Sequence, residues 1–171
     1  MEQIAPITKE EFLKAYDEYA DMLFRFAFVK TSDREISKDM VQDTFVKTFE
    51  YLQKGEEVNN LKSFLYQVLR NIVIDYYRKK KSFSLDEQME NGFDIFETNK
   101  ESKIFENAEE KEAIRMLNSL EDVYKETLVL RFVQDMSVNE IGELLGVSPN
   151  VVSVRISRGL EKLKWLMGTK K

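Results

Sequence analysis

The sequence contains no cysteine and no histidine, and it has only two prolines and six glycines in 171 residues. The missing side chains exclude disulfides, thiolate chemistry, zinc fingers and histidine-based acid–base catalysis. Because proline and glycine are the residues that most often interrupt helices, long uninterrupted helices are expected. Apolar residues recur at three- and four-residue spacing along most of the chain, so the sequence predicts an all-α protein.

The sequence also lacks the features of a membrane or exported protein. No apolar run approaches the roughly 18 residues that a membrane-spanning helix needs. The first residues, MEQIAPITKEEF, have neither the basic start nor the apolar core of a secretory signal. We therefore expect a cytoplasmic protein that is not inserted in a membrane, and we expect no cofactor.

The net charge of −5 conceals an uneven distribution of charge. Residues 61–82 carry six basic and one acidic side chain, and residues 127–171 carry seven basic and four acidic side chains. The other two segments, residues 1–60 and 83–126, each carry 13 acidic side chains against eight and five basic ones. Two basic segments in an acidic chain indicate that any nucleic-acid partner is bound at those two places.

The predicted organisation is two small helical domains joined by an acidic, extended linker. The linker, residues 83–107, has seven acidic and two basic side chains and no helical periodicity. The first domain then covers residues 1–82 and the second covers residues 108–171. The predicted helices are Lys9–Lys30, Ile36–Gln53, Leu61–Lys81, Ala108–Ser119, Asp122–Val133, Val138–Leu145 and Pro149–Leu166.

The segment SVNEIGELLGVSPNVVSVRISRGLEKLK predicts a helix-turn-helix. Gly146 can adopt the left-handed conformation that ends a helix, Ser148 suits an N-cap, and Pro149 suits a first helical position. An ordinary helical hairpin with a solvated outer face is the alternative. The second helix has one apolar face, formed by Val152, Ile156, Leu160 and Leu163. Its other face suits the major groove of DNA and is formed by Asn150, Ser153, Val154, Ser157 and Arg158.

The basic helix Leu61–Lys81 has features that suit a single nucleic-acid strand. Its cations can neutralise phosphates, and its tyrosines can stack on unpaired bases, which is worth about 1–3 kcal/mol per base. Two asparagines in the preceding loop could contact an extruded base or only cap the helix. A solvated helix face is the alternative reading. The candidate contacts are Asn59, Asn60, Lys62, Tyr66, Arg70, Asn71, Tyr77, Arg78 and Lys81.

The helix Ile36–Gln53 is predicted to expose Asp39, Gln42, Asp43 and Val46 on one face. A polar face with one exposed valine suits a protein contact, although it could also be a solvated surface. Asp39 and Asp43 are four residues apart and could in principle hold a metal ion. Neither histidine nor a further converging carboxylate supports such a site, so no metal is predicted.

Three segments, in this order, resemble an extracytoplasmic-function sigma factor of the sigma-70 family. They are DMVQDTF, then SFLYQVLRNIVIDYYRKKK, and finally LVLRFVQDMSVNEIGELLGVS with the helix that follows. The resemblance covers nearly the whole chain. It implies that residues 1–82 are sigma domain 2 and that residues 108–171 are sigma domain 4.

This resemblance implies an RNA polymerase sigma factor, a detachable subunit that is not itself an enzyme. Asp39, Gln42, Asp43 and Val46 would then contact bacterial core RNA polymerase. The basic helix and the loop before it would recognise the −10 promoter element and hold its melted strand, while the helix-turn-helix would read the −35 element as duplex DNA. The resemblance also implies an anti-sigma factor as an inhibitory partner.

The recognition helix departs from the family pattern. A Thr-Val-Lys/Arg-Ser-Arg run is common there, whereas this chain has VVSVR at 151–155. The expected cation is missing at Ser153, Val154 replaces a serine, and only Arg158 carries over cleanly as a DNA contact. The −35 sequence that is read is therefore expected to be unusual.

Two other classes of function remain open from the sequence. A stand-alone helix-turn-helix transcription regulator would need tight duplex binding without polymerase, which the modest charge of residues 127–171 disfavours. A nucleic-acid-processing enzyme would need a metal-dependent activity carried by Asp39 or Asp43, and the scattered acidic residues disfavour it.

Overall fold

The structure is a computed structural model that describes residues 8–90 and 108–168. These residues form helices and connecting turns without a strand, which confirms the predicted all-α class. The chain divides into two compact units, Met1–Ser102 and Lys103–Lys171. The helices are α1 (Lys9–Thr31), α2 (Arg34–Gln53), α3 (Leu61–Glu90), α4 (Ala108–Asn118), α5 (Asp122–Leu128), α6 (Val138–Leu145) and α7 (Pro149–Gly168), with a π-helical segment at Val129–Val133 after α5.

Side-chain caps define where α1 and α2 begin. The Thr8 hydroxyl accepts the Glu11 N–H at 3.2 Å, and the Glu11 carboxylate accepts the Thr8 N–H at 2.8 Å. The hydrogen bond from the Thr8 backbone, together with that from its hydroxyl, lowers the pKa of Glu11. Ser32 ends α1 in the left-handed conformation, and the Asp33 carboxylate accepts the Ile36 N–H at 3.0 Å. The second helix therefore begins almost immediately after the first.

The first unit is a three-helix arrangement in which α1, α2 and α3 all contact one another. Aromatic pairs link the helices. The rings of Phe12 and Phe45 are 5.8 Å apart, and those of Phe26 and Tyr66 are 5.7 Å apart, both edge to face. The largest buried side chains of this core are Leu23, Phe26, Phe28, Met40, Val41, Phe45, Leu65, Tyr66, Leu69 and Val73.

The third helix is longer than the sequence predicts. It continues from the predicted end at Lys81 to Glu90, so the first part of the predicted extended linker, residues 83–90, is helical. The segment Ser82–Glu90 contains leucine, glutamate, glutamine and methionine, which are good helix formers, and it contains no glycine or proline. The helix propensity of these residues therefore extends α3 beyond Lys81, although their apolar residues are not spaced as in a helix. The rest of the predicted linker, residues 91–107, lies outside the described residues.

In the second unit, α5 and α6 each pack against α7, and α4 also contacts α7. The predicted helix Asp122–Val133 changes at Val129 to a π-helical segment, and the Gln134 N–H then donates to the Val129 carbonyl oxygen at 3.1 Å. After the π-helical segment, the chain leaves the helix at Asp135, whose φ is 50°. The buried apolar side chains of this unit are Leu120, Leu128, Val129, Leu130, Met136, Ile141 and Val152.

Candidate nucleic-acid and protein interfaces

The exposed face of α2 is arranged as the sequence predicts. Asp39, Gln42, Asp43 and Val46 are all exposed, and 56% of the Val46 surface is accessible. The opposite face is buried and includes Thr44, whose hydroxyl donates to the Met40 carbonyl oxygen at 2.7 Å. A surface valine beside two carboxylates and an amide offers both apolar contact and hydrogen-bond acceptors, a combination that suits a protein partner.

The third helix presents most of its predicted nucleic-acid contacts at the surface. Asn71, Tyr77, Arg78 and Lys81 are exposed, whereas Lys62 and Arg70 are half-buried. Arg78 pairs with Asp75 at 3.1 Å, and both side chains are at least half exposed. Because an exposed ion pair contributes only about 0–1 kcal/mol, Arg78 can exchange this partner for a phosphate at little cost.

Tyr66 is the exception, and its prediction as an exposed stacking residue is wrong. The side chain is completely buried, and its ring packs against Phe26 of α1. This burial raises the pKa of the Tyr66 hydroxyl far above its ordinary value. The helix contacts both α1 and α2, and its buried side chains are therefore Leu65, Tyr66, Leu69 and Val73.

Tyr77 is held in place and remains partly exposed. Its hydroxyl donates to the carbonyl oxygen of Lys30 in α1, and its ring packs edge to face with Tyr76 at 5.3 Å. With 43% of the side chain accessible, part of the ring is open to a stacking partner. The fixed hydroxyl reduces the freedom that the ring would lose on binding a base.

The loop before α3 has one asparagine in a structural role. The side-chain oxygen of Asn60 accepts the Ser63 N–H at 3.0 Å, which is the cap that the sequence allowed as an alternative. The Asn60 amide group remains exposed, and so does Asn59. Both residues lie immediately before the basic helix.

The turn between α6 and α7 confirms the predicted helix-turn-helix. Gly146 has a φ of 66°, which favours glycine, and the Ser148 hydroxyl accepts the Val151 N–H at 3.3 Å. A Cβ on the buried Gly142 would lie 2.8 Å from the Val147 carbonyl oxygen, so glycine permits the close approach of the turn to α6. Sequence reasoning missed the capping box of Ser137 and Glu140 that starts α6, although the S-x-x-E pattern was its signal.

The predicted groove-facing side chains of α7 are all exposed. Asn150, Ser153, Val154, Ser157 and Arg158 lie opposite Val152, which is completely buried. The Ser153 hydroxyl donates to the Pro149 carbonyl oxygen at 3.1 Å, so its proton is used within the helix. Val154 is 41% accessible.

An apolar groove in the second unit was not predicted. It has a volume of about 680 Å³ and lies between α4, α5, the π-helical segment and α7. Leu160, predicted on the inward face of α7, lines this groove and is therefore 36% exposed, and Phe132 is 60% exposed. The groove is lined by Ala108, Glu109, Glu112, Ala113, Met116, Leu117, Leu128, Val129, Phe132, Val133, Leu160, Leu163 and Met167.

Neither a cluster of metal-ligating side chains nor a membrane-spanning helix occurs within residues 8–90 and 108–168. In those ranges no three acidic side chains converge closely enough to hold a metal ion, so Asp39 and Asp43 are not joined by a further ligand. None of the described helices combines the length and the apolar character needed to cross a membrane.

Comparison with known proteins gives two family matches and several relatives. Sigma-70 region 2 matches residues 15–83, and the region 4 model of the same family matches residues 110–163. The RNA polymerase sigma factor YlaC of Bacillus subtilis is 28% identical over 151 residues, with 87% of each chain covered. The ECF RNA polymerase sigma factor SigM of the same organism is 26% identical over 153 residues, covering 88% of this chain and 91% of SigM.

Two solved structures share the fold at low sequence identity. The sigma factor RpoE in complex with the anti-sigma factor NepR from Bartonella quintana has a TM-score of 0.74 at 22% identity, covering 95% of this chain and 99% of RpoE. CnrH in complex with the cytosolic domain of CnrY has a TM-score of 0.72 at 22% identity, covering 96% of this chain and 92% of CnrH.

Proposed function

Because the chain belongs to the sigma-70 family, as an extracytoplasmic-function sigma factor, we propose that α2, α3 and α7 divide the work of promoter recognition. The protein is an RNA polymerase sigma factor that directs promoter-specific transcription initiation by bacterial core RNA polymerase. The observation that carries the proposal is the presence of two exposed faces of different character, a basic one on α3 and a mainly polar one with Arg158 on α7. We further propose that the protein catalyses no reaction itself and acts in the cytoplasm, where it would meet the polymerase.

The polymerase contact is assigned to the exposed face of α2. Asp39, Gln42, Asp43 and Val46 form a continuous stripe on a helix whose other side is anchored in the core. Since buried Met40, Val41 and Phe45 fix the orientation of the helix, the stripe is presented without rearrangement of the fold. Such a preformed surface loses little conformational entropy on binding.

The −10 contact is assigned to the exposed part of α3 and the loop before it. Cations along the helix attract the phosphates of a melted strand, and the partly open ring of Tyr77 offers a stacking surface. Tyr66 takes no part, because it is buried. The proposed contacts are Asn59, Asn60, Lys62, Arg70, Asn71, Tyr77, Arg78 and Lys81.

The −35 contact is assigned to the exposed face of α7. The turn at Gly146 and the cap at Ser148 orient the first turns of this helix, from which recognition helices usually contact bases. Asn150, Val154, Ser157 and Arg158 are then available to base edges or phosphates, whereas Ser153 is available mainly as an acceptor.

A stand-alone helix-turn-helix regulator is the alternative function. It requires tight duplex binding without polymerase, but residues 127–171 carry a net charge of only +3. Weak separate sites become effective when one polymerase complex joins them, because linkage raises their effective concentration. Transcription by core polymerase separates the two functions, since only a sigma factor enables the core enzyme to start at new promoters.

An anti-sigma factor is proposed as a partner that covers the apolar groove of the second unit. Among the structural neighbours, the sigma factor RpoE is in complex with the anti-sigma factor NepR, and CnrH is in complex with the cytosolic domain of CnrY. The groove is apolar, and Phe132 and Met167 at its rim are 60% and 62% exposed. An apolar helix of the partner would bury these side chains, which water otherwise contacts.

Replacing Phe132 with aspartate is expected to weaken capture of the anti-sigma factor by at least about tenfold, because a charge would enter the apolar groove. The measurement is purification of the tagged chain from its source, followed by mass spectrometry of the intact complex. The unchanged chain should yield a 1:1 complex with a small helical protein. The control, Trp165→Asp, changes an exposed aromatic residue that does not line the groove. Recovery of only free or polymerase-bound chain would contradict the proposal.

A further inference from the structure

One side chain on the groove-facing surface of α7 cannot form hydrogen bonds. Val154 is 41% exposed and lies one helical turn after Asn150 and one turn before Arg158. The apolar residues that hold α7 in the core lie on the other side, where Val152 is completely buried. The exposure of Val154 therefore has no explanation in the packing of this unit.

In a major groove, an apolar side chain has one specific partner among the four bases. The C5-methyl group of thymine is the only methyl group on the base edges there, and small aliphatic side chains contact it. A cytosine at the same place presents only a hydrogen at C5, so the valine loses the methyl contact, and a purine there presents polar N7 instead. A valine at this position therefore discriminates between bases.

We propose that Val154 is a specificity-determining residue that contacts the methyl group of a thymine in the −35 duplex. The inference rests on the proposed function and deepens it by naming the chemical group that is read. Asn150, about 6 Å away along the helix axis, is placed to read an adenine one or two base pairs away. The −35 element is then expected to have A·T pairs opposite the first turns of α7.

The side chains next to Val154 are less suited to contact the thymine methyl group. The Ser153 hydroxyl proton is engaged by the Pro149 carbonyl oxygen, so Ser153 cannot donate to a base while that bond persists. Val151 is 39% exposed but lies about 100° around the helix from Asn150 and about 120° from Ser157, on the edge near Arg158, whereas Val154 is within about 60° of both. Val151 is therefore a matched control, with the same side chain and almost the same exposure.

The test removes only the methyl group from the DNA. Each thymine of the −35 element, located by transcription with the chain and core polymerase, is replaced in turn by uracil. With the unchanged chain, one of these replacements should weaken promoter binding by the assembled holoenzyme about fourfold, the effect of losing one buried methyl group. With Val154→Ala that replacement should have almost no effect, and with Val151→Ala it should keep its full effect.

Each contrary outcome has a separate meaning. If transcription is promoter-specific but no uracil weakens binding, or if Val154→Ala keeps the full uracil effect, this inference is overturned and the proposed function stands. A −35 element without thymine also overturns it. If the chain directs no transcription at all, the proposed function fails and the inference fails with it.

Discussion

Tyr66→Ala is expected to destabilise the first unit by about 3–5 kcal/mol, because it removes a fully buried aromatic ring from the contact with Phe26. Small domains have free energies of unfolding of about 5–15 kcal/mol, so the variant should be partly unfolded at moderate temperature. The measurement is urea unfolding of the full chain, monitored by circular dichroism and by tyrosine fluorescence. Loss of promoter opening should occur only as a consequence of this instability.

Tyr77→Ala is the matched control for this experiment. Tyr77 is 43% exposed, and its contacts include a hydrogen bond to the Lys30 carbonyl oxygen and edge-to-face packing with Tyr76. Such a bond contributes about 0.5–1.5 kcal/mol, so the variant should remain folded. The Tyr77→Ala variant should instead bind the melted −10 strand more weakly. A Tyr66→Ala protein with unchanged stability and impaired strand binding would show that Tyr66, and not the packing against Phe26, contributes to the nucleic-acid surface.

Asp43→Arg is expected to weaken binding to core RNA polymerase by about thirtyfold, corresponding to about 2 kcal/mol at a central interface residue. The side chain is exposed at the centre of the α2 stripe, so the change should leave the fold intact. The measurement is the affinity of the labelled chain for core enzyme, and Gln42→Ala should show a smaller loss of affinity in the same assay.

Asp17→Arg provides the control for the charge change. Asp17 is an exposed carboxylate on α1, outside the proposed polymerase surface. Its replacement should leave the affinity for core enzyme almost unchanged. Equal losses for the two arginine variants would point to a general charge effect, and unchanged affinity of Asp43→Arg would remove α2 from the proposed interface.

The parts of the fold that were predicted correctly depend on local chemistry. Gly146, Ser148 and Pro149 specify the turn between α6 and α7 through their own backbone preferences, and the turn forms as expected. The exposed face of α2 was also predicted correctly, because Val41 and Phe45, four residues apart, mark the buried side of this helix. Neither feature requires knowledge of distant residues.

The errors occur where distant contacts decide the outcome. Periodicity places the side chains of α3 around the helix axis, but it does not reveal that α1 and α2 together cover a wide arc that includes Tyr66. The apolar groove of the second unit was missed for a similar reason. Its lining comes from three helices and a π-helical segment, each of which has an apolar face that a single sequence assigns to the core.

The most direct test of the account is transcription of fragmented genomic DNA by bacterial core polymerase, with and without this chain, followed by mapping of the 5′ ends. The account predicts discrete new start sites that appear only with the chain and share two sequence elements, one near −10 and one near −35. Asp43→Arg should abolish most of these starts at limiting concentration of the chain. The absence of any new start site, with no binding to core enzyme, would contradict it.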